Sequence, residues 1–118
     1  MELLTGGDKL TLAVELTLRR LGISGTLHGM WYLTYAIGRT VEDPQYVRYI
    51  TKRVYLDVAK AYHSTPSRVE RAMRFAIHSC WANEEVKKEF EQMTGYHLLR
   101  CPTNSEFIDL VAFYIRHR

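Results

Sequence analysis

Cysteine is scarce in this sequence, which holds Cys80 and Cys101 and no other. One disulfide at most could form, so a disulfide-stapled scaffold is excluded, and two reduced thiols are the default in a cytoplasmic protein. A zinc site could be assembled from His78, Cys80, His97 and Cys101. However, residues two apart on a helix point to different sides, so this spacing is poor for one metal ion. The sequence favours buried cysteines, and we expect neither a metal nor a cofactor.

Long apolar runs and catalytic motifs are also missing. Charged residues interrupt every candidate before the roughly 18 residues that a membrane span needs. The N-terminal MELLTGGDK lacks the basic and apolar regions of a signal peptide, so we expect a cytoplasmic protein with no membrane segment. No Gly-rich phosphate loop is present, and no nucleophile stands beside a base in a recognisable motif. We therefore expect a protein that is not an enzyme.

The composition that remains is typical of one folded domain. Apolar residues make up 47% of the chain and charged residues 25%, which is ordinary for a globular protein. A chain of 118 residues buries about two-thirds of the surface that its unfolded form exposes, so we expect a single domain over 1–118. The net charge of +3 permits an anionic partner without requiring one.

Apolar residues recur at helical spacing, and no segment alternates with a period of two. The pattern predicts an all-α fold of six to seven helices with no substantial sheet. Capping signals divide the chain. The first predicted helix runs from an Asp8 cap to about Leu21 and is followed by Gly22, and the second runs from about Thr26 to Ile37 and is ended by Gly38. The third is begun by Asp43-Pro44 and has a break near Leu56–Asp57, and the fourth begins at Pro66 with Thr65 as its cap. A charged helix over 84–93 follows, and the last helix starts from a capping box at Thr103.

The HSTPS turn, residues 63–67, separates two helices in the manner of a helix-turn-helix. Such a motif needs a small residue where its helices cross, and Ala59 is placed for this role. The usual turn glycine is missing, because His63 stands near its position. We expect Ser64, Thr65 and Pro66 to set the turn instead.

The second helix of this motif carries arginines on its outward face. Arg71 and Arg74 are three residues apart and project from one side of a helix. Guanidinium forks match the O6 and N7 acceptors of guanine in the major groove, and Glu70 could accept from the N4 amino group of cytosine. Ser67 and Arg68, at the helix start, are placed for phosphate oxygens. The residues alone equally allow a solvated face with an ordinary Glu70–Arg74 pair.

The chain resembles the C-terminal effector domain of the stage-zero sporulation master regulator of endospore-forming Firmicutes. The resemblance rests on ITKRVYLDVAKAYHSTPSRVERAMRFAIHSCW, on the later PTNSEF and on the early GISGTLHGMWYLTYAI, which occur in the family's order. SRVERAMR is the most specific piece because it covers the whole outward face of the second motif helix. The similarity extends from about Leu21 to Ile115.

This resemblance implies an all-helical domain that binds short repeated promoter elements in double-stranded DNA and activates or represses transcription. It implies base contacts from Glu70, Arg71 and Arg74, and contacts to the DNA backbone from Ser67 and Arg68. Positive side chains at the edges of the motif would add further backbone contacts. The candidates for this second role are Lys52, Arg53 and Lys60.

In the family, the last helix takes part in pairing domains on tandem sites. The residues that this self-association would involve here are Phe107, Val111, Tyr114 and Ile115. The alternative for this stripe is burial in the core of its own domain. The family's activator role adds RNA polymerase as a further candidate partner.

Three departures from the family accompany the resemblance. Nothing here resembles the family's N-terminal phosphoacceptor receiver domain, so we expect either an excised effector domain or a stand-alone relative without the phosphorylation switch. Leu56 stands where the family tends to have proline, and the segment 82–101 matches poorly.

The alternative function is a helix-turn-helix module that binds a regulator or a polymerase subunit without reading DNA.

Overall fold

The computed structural model describes residues 6–118, which form six α-helices. These are α1 (Gly6–Arg20), α2 (His28–Glu42), α3 (Tyr55–Ala61), α4 (Pro66–Trp81), α5 (Glu84–Thr94) and α6 (Asn104–His117). A 3-10 helix, Tyr46–Tyr49, and a π-helix, Ile50–Val54, lead directly into α3. Since no strand occurs among residues 6–118, the predicted all-α fold is confirmed.

Hydrogen bonds at the caps confirm the predicted starts of α4 and α6. The hydroxyl of Thr65 accepts from the backbone N–H of Arg68 at 3.2 Å, and α4 begins at the proline between them. At the start of α6, the hydroxyl of Thr103 accepts from the N–H of Glu106 at 3.2 Å. The Glu106 carboxylate in turn accepts from the N–H of Thr103 at 2.9 Å, which completes the predicted capping box. Gly22 follows α1 with a left-handed φ of +82°.

Two predicted helix boundaries are wrong. Asp8 lies inside α1, which already includes Gly6, so Asp8 is not the N-cap of that helix. Gly38 does not end α2, because the helix continues to Glu42. A glycine stops a helix when it adopts a left-handed φ, and Gly38 does not adopt one.

The segment after Asp43 also differs from its prediction. The Asp43 carboxylate accepts from the N–H of Gln45 at 3.1 Å, but the 3-10 helix begins only at Tyr46. Asp43 therefore caps a turn rather than an α-helix. The backbone changes its helical form at residues 50 and 55, and α3 then runs unbroken through Leu56–Asp57. The predicted break at that point is wrong.

Helix α2 forms the centre of the core, as its weakly polar sequence predicts. It packs against α1, α4 and α6, and its Met30, Leu33 and Ile37 side chains are buried. Trp31 is an exception, since 47% of it is exposed. Its ring stacks on that of Tyr62, with 6.5 Å between the centroids, at the surface beside α3. None of the described helices combines the length and apolar character needed to cross a membrane.

Candidate nucleic-acid interface

Helices α3 and α4 pack against each other across the turn formed by residues 62–65. Ala59, the predicted crossing residue, is 4% exposed, and Val58 and Val69 beside the turn are fully buried. His63 adopts a left-handed φ of +53°, and the N–H of Ser64 donates to the carbonyl of Ala59 at 2.9 Å. His63 therefore takes the conformation that a turn glycine would take. Ser64, Thr65 and Pro66 take part in the turn as expected, and His63 adds the left-handed residue that the sequence did not predict.

The outward face of α4 includes Ser67, Arg68, Arg71 and Arg74, and all four residues are exposed. The opposite side of the helix packs into the core through Val69, Met73 and Ile77, which are fully buried. The structure thus brings four of the five predicted DNA-contacting residues of this helix together on one surface, and the fifth, Glu70, is half-buried. Their positive charge lies on the second helix of the motif, the one that enters the major groove in helix-turn-helix proteins.

Glu70 and Arg74 form an ion pair on this helix. The Oε1 atom of Glu70 lies 3.4 Å from Nη1 of Arg74, and both side chains remain partly exposed. The ordinary i,i+4 pair allowed by the sequence is therefore present. Arg71 forms no ion pair with any side chain that the structure describes. No described carboxylate therefore competes with a ligand for its guanidinium donors.

The predicted phosphate contacts at the edges of the motif fall into two groups. Lys52, in the π-helix before α3, and Lys60, within α3, are exposed. Arg53, in contrast, is held against the domain. Its guanidinium lies 5.1 Å from the ring centre of Tyr46 and its Nε atom lies 3.9 Å from the Asp57 carboxylate. Arg53 is exposed as well, but its guanidinium has partners within its own domain.

A polar cluster that the sequence did not predict holds the first motif helix on α2. The hydroxyl of Tyr46 donates to the Asp57 carboxylate at 2.7 Å, and Nη1 of Arg39 lies 3.6 Å from the same oxygen. Burial, followed by the hydrogen bond to Asp57, raises the pKa of Tyr46, so the phenol stays protonated. This cluster connects the 3-10 helix, α2 and α3, and thereby sets the position of the motif.

Asn104 is a second positioning residue that sequence reasoning missed. Its buried side-chain amide donates to the backbone carbonyl of Glu70 at 3.1 Å and to the hydroxyl of Tyr55 at 3.0 Å. These bonds connect the start of α6 to both helices of the motif. The residue lies in the predicted capping box, but no periodicity indicates that an asparagine at this position points inward.

The predicted self-association residues lie mostly inside the domain. Phe107 and Val111 are fully buried, and Ile115 is 7% exposed. Tyr114 is half-buried, and its hydroxyl accepts from Nη1 of Arg20 at 3.2 Å. This placement corresponds to the alternative given above, burial in the domain's own core, and it argues against direct contacts between domains by the three buried residues.

The two cysteines are free thiols. Cys80 is buried on α4, and this burial raises its pKa to about 12. Cys101 is half-buried, and its pKa is also raised by burial. Among residues 6–118, His, Cys, Asp and Glu side chains form no cluster of three that could hold a metal ion.

Residues 14–115 match the family model described as sporulation initiation factor Spo0A C terminal. The match includes both helices of the motif, the outward face of α4 and most of α6. The chain belongs to this family. The Spo0A C-terminal family is the DNA-binding, transcription-regulating effector domain of a sporulation response regulator, and it is not an enzyme family. The resemblance drawn from the sequence is thereby confirmed.

For this member of the Spo0A C-terminal family, the basic surface and the helix-turn-helix coincide. DNA binding belongs to the domain as a family property, and the exposed arginines lie on the second helix of the motif.

Proposed function

We propose that the domain recognises tandem promoter elements in duplex DNA by placing α4 in the major groove, and that it activates or represses transcription from them. The observation that carries this proposal is the row of exposed arginines on the outward face of α4. A major groove about 12 Å wide admits an α-helix, and its floor presents the guanine acceptors that arginine forks match.

Within this proposal, Arg71 is the principal base-contacting residue, because its guanidinium has no competing carboxylate among the described residues. Arg74 also contacts a base, and its pair with Glu70 holds its side chain in place before DNA arrives. Glu70 keeps a second carboxylate oxygen, Oε2, which can accept from a cytosine amino group.

Contacts to the DNA backbone would hold α4 in register. Ser67 and Arg68 lie in the first turn of α4, where backbone N–H groups and the helix dipole favour a phosphate. Lys52, just before α3, and Lys60, within it, would add positive charge for further phosphate contacts. These contacts raise affinity for every sequence, whereas Arg71 and Arg74 distinguish between sequences.

The proposal includes self-association of two domains on adjacent elements and contact with RNA polymerase. Tyr114 is the predicted pairing residue that retains exposed surface. Phe113, beside it on α6, is 47% exposed and is available to the same contact.

The test is fluorescence anisotropy on a duplex that carries two tandem copies of the family's promoter element, with a scrambled duplex of equal length as reference. Arg71→Ala should weaken binding to the tandem duplex by about 1–3 kcal/mol and flatten the preference at one base pair. Lys88→Ala removes the same charge from α5 and serves as the matched control, with no change expected. Lys60→Ala should weaken binding to both duplexes and reduce the salt slope by about one.

Equal, salt-sensitive binding of the unmodified domain to both duplexes would contradict base recognition and leave only a basic surface. The protein-interaction module would then be favoured if the domain bound a polymerase subunit and if Arg71→Glu left that binding unchanged.

A further inference from the structure

Phe75 is an exposed aromatic residue on the recognition helix. It is 62% exposed, whereas the large apolar side chains on the other side of α4 are buried. It makes no aromatic stacking contact with another described ring. Exposure of this apolar ring to water is unfavourable for the free domain, and the ring does not contribute to the core.

The position of Phe75 places it beside the principal base-contacting residue. At about 100° per residue, Phe75 lies about 40° around the helix from Arg71 and about 6 Å farther along the axis. Phe75 and Arg71 also line a shallow cleft between α4 and the start of α2, together with Leu27 and Ala72. The phenyl ring therefore borders the outward face of α4.

The charges around this ring favour DNA over another copy of the protein. Arg68 and Arg71 flank the cleft, and none of its described lining residues is acidic. A second copy docking through the same face would bring like charges together, whereas a phosphate-lined groove would neutralise them. The apolar group that a major groove offers to a phenylalanine is the C5 methyl of thymine.

We propose that Phe75 packs against the 5-methyl group of a thymine about two base pairs from the base contacted by Arg71. The contact makes Phe75 a specificity-determining residue. It rests on the proposed function, because it requires α4 to lie in the major groove. It adds apolar recognition of one base to the hydrogen-bond recognition by the arginines.

The test isolates the methyl group. A preferred duplex is first selected from a random pool with the unmodified domain, and each thymine is then replaced singly by uracil. Uracil keeps the hydrogen-bonding edge of thymine and lacks only the methyl. Replacement at one position should weaken binding of the unmodified domain about fourfold, the effect of one buried methyl-sized group. Phe75→Ala should bind the thymine and uracil duplexes equally well.

Phe75→Leu is the matched variant, since it keeps an apolar side chain and should retain part of the uracil effect. Thermal unfolding of each variant checks the fold, which should be unchanged because the side chain is exposed. The proposal would be overturned if uracil weakened binding equally in the unmodified domain and in Phe75→Ala. It would also be overturned if Phe75→Ala lost the same affinity for the selected duplex as for the scrambled one. Failure of the random pool to yield any preferred sequence would instead overturn the proposed function itself.

Discussion

Gly29 of α2 lies against the carbonyl oxygen of Ala72 in α4, so closely that a Cβ on the glycine would stand 2.5 Å from that oxygen. The same Cβ would stand 2.8 Å from the Cβ of Ala76. Neither neighbour is the end of a flexible side chain, so a substituent at position 29 would have to push the two helices apart. Helix α2 approaches α4 this closely because residue 29 has no side chain.

We therefore expect Gly29→Ala to lower the free energy of unfolding by about 1–3 kcal/mol through overpacking. Gly38→Ala in the same helix is the matched control, since its Cβ would meet no atom within 4 Å. That substitution should raise stability by about 0.4–1 kcal/mol by restricting the unfolded chain. Urea unfolding followed by circular dichroism measures both effects, and a Gly29→Ala domain as stable as the unmodified one would contradict the close approach.

The left-handed conformation of His63 predicts a gain from glycine. A residue with a Cβ in this region costs about 1–2 kcal/mol relative to a right-handed conformation, and glycine avoids most of that cost. We expect His63→Gly to raise the free energy of unfolding by about 1 kcal/mol and His63→Val to lower it. Thermal unfolding decides the order of the three proteins. A His63→Gly domain less stable than the unmodified one would show that the imidazole, rather than the turn, stabilises this site.

The amide of Asn104 provides a third prediction. Asn104→Ala removes the bonds to Tyr55 and to the Glu70 carbonyl, and should cost about 1–3 kcal/mol of stability. Tyr55→Phe removes only the first bond. In a double-mutant cycle, the loss from Asn104→Ala should be smaller in the Tyr55→Phe background by about 0.5–1 kcal/mol. Strictly additive losses would mean that the two side chains do not interact.

Glu106 should contribute stability that depends on pH. The guanidinium of Arg100, followed by the N–H of Thr103, lowers its pKa from 4.5 to about 2. As the pH falls, Glu106 is therefore protonated in the unfolded chain before it is protonated in the folded one. The stability that Glu106 contributes is complete above pH 4.5 and is lost as the pH falls to about 2. Glu106→Gln should cost about 1 kcal/mol at neutral pH, since solvent screens a pair this exposed. Urea unfolding at pH 7 and pH 3 should show that this difference shrinks in acid.

The helix boundaries that the sequence predicted correctly are those set by local chemistry. Thr65 and Thr103 cap helices through hydrogen bonds to residues three positions away, so their sequence context is sufficient. Gly38 failed as a helix stop because tertiary packing along α2 carries the helix past it. The outward face of α4 was predictable for a similar reason, since helical periodicity alone separates its arginines from Val69 and Met73.

The supports of the site were not predictable, because they join residues that are remote in sequence. Asn104 and Tyr55 are 49 positions apart, and Asn104 and the carbonyl of Glu70 are 34 positions apart. Nothing in the local sequence pairs such residues. The burial of Phe107 and Val111 was left open for the same reason, since an apolar stripe on α6 could equally have faced another domain.

The two sides of α4 differ in their freedom to change during evolution. The inner side is fixed by the fit of Ala72 and Ala76 against Gly29, where added atoms would displace a helix. The outer side, including Arg71 and Phe75, touches little of the domain, and substitutions there cost little folding energy. In a lineage built on this scaffold, the outer side chains can therefore change one at a time while the stability of the domain is inherited intact.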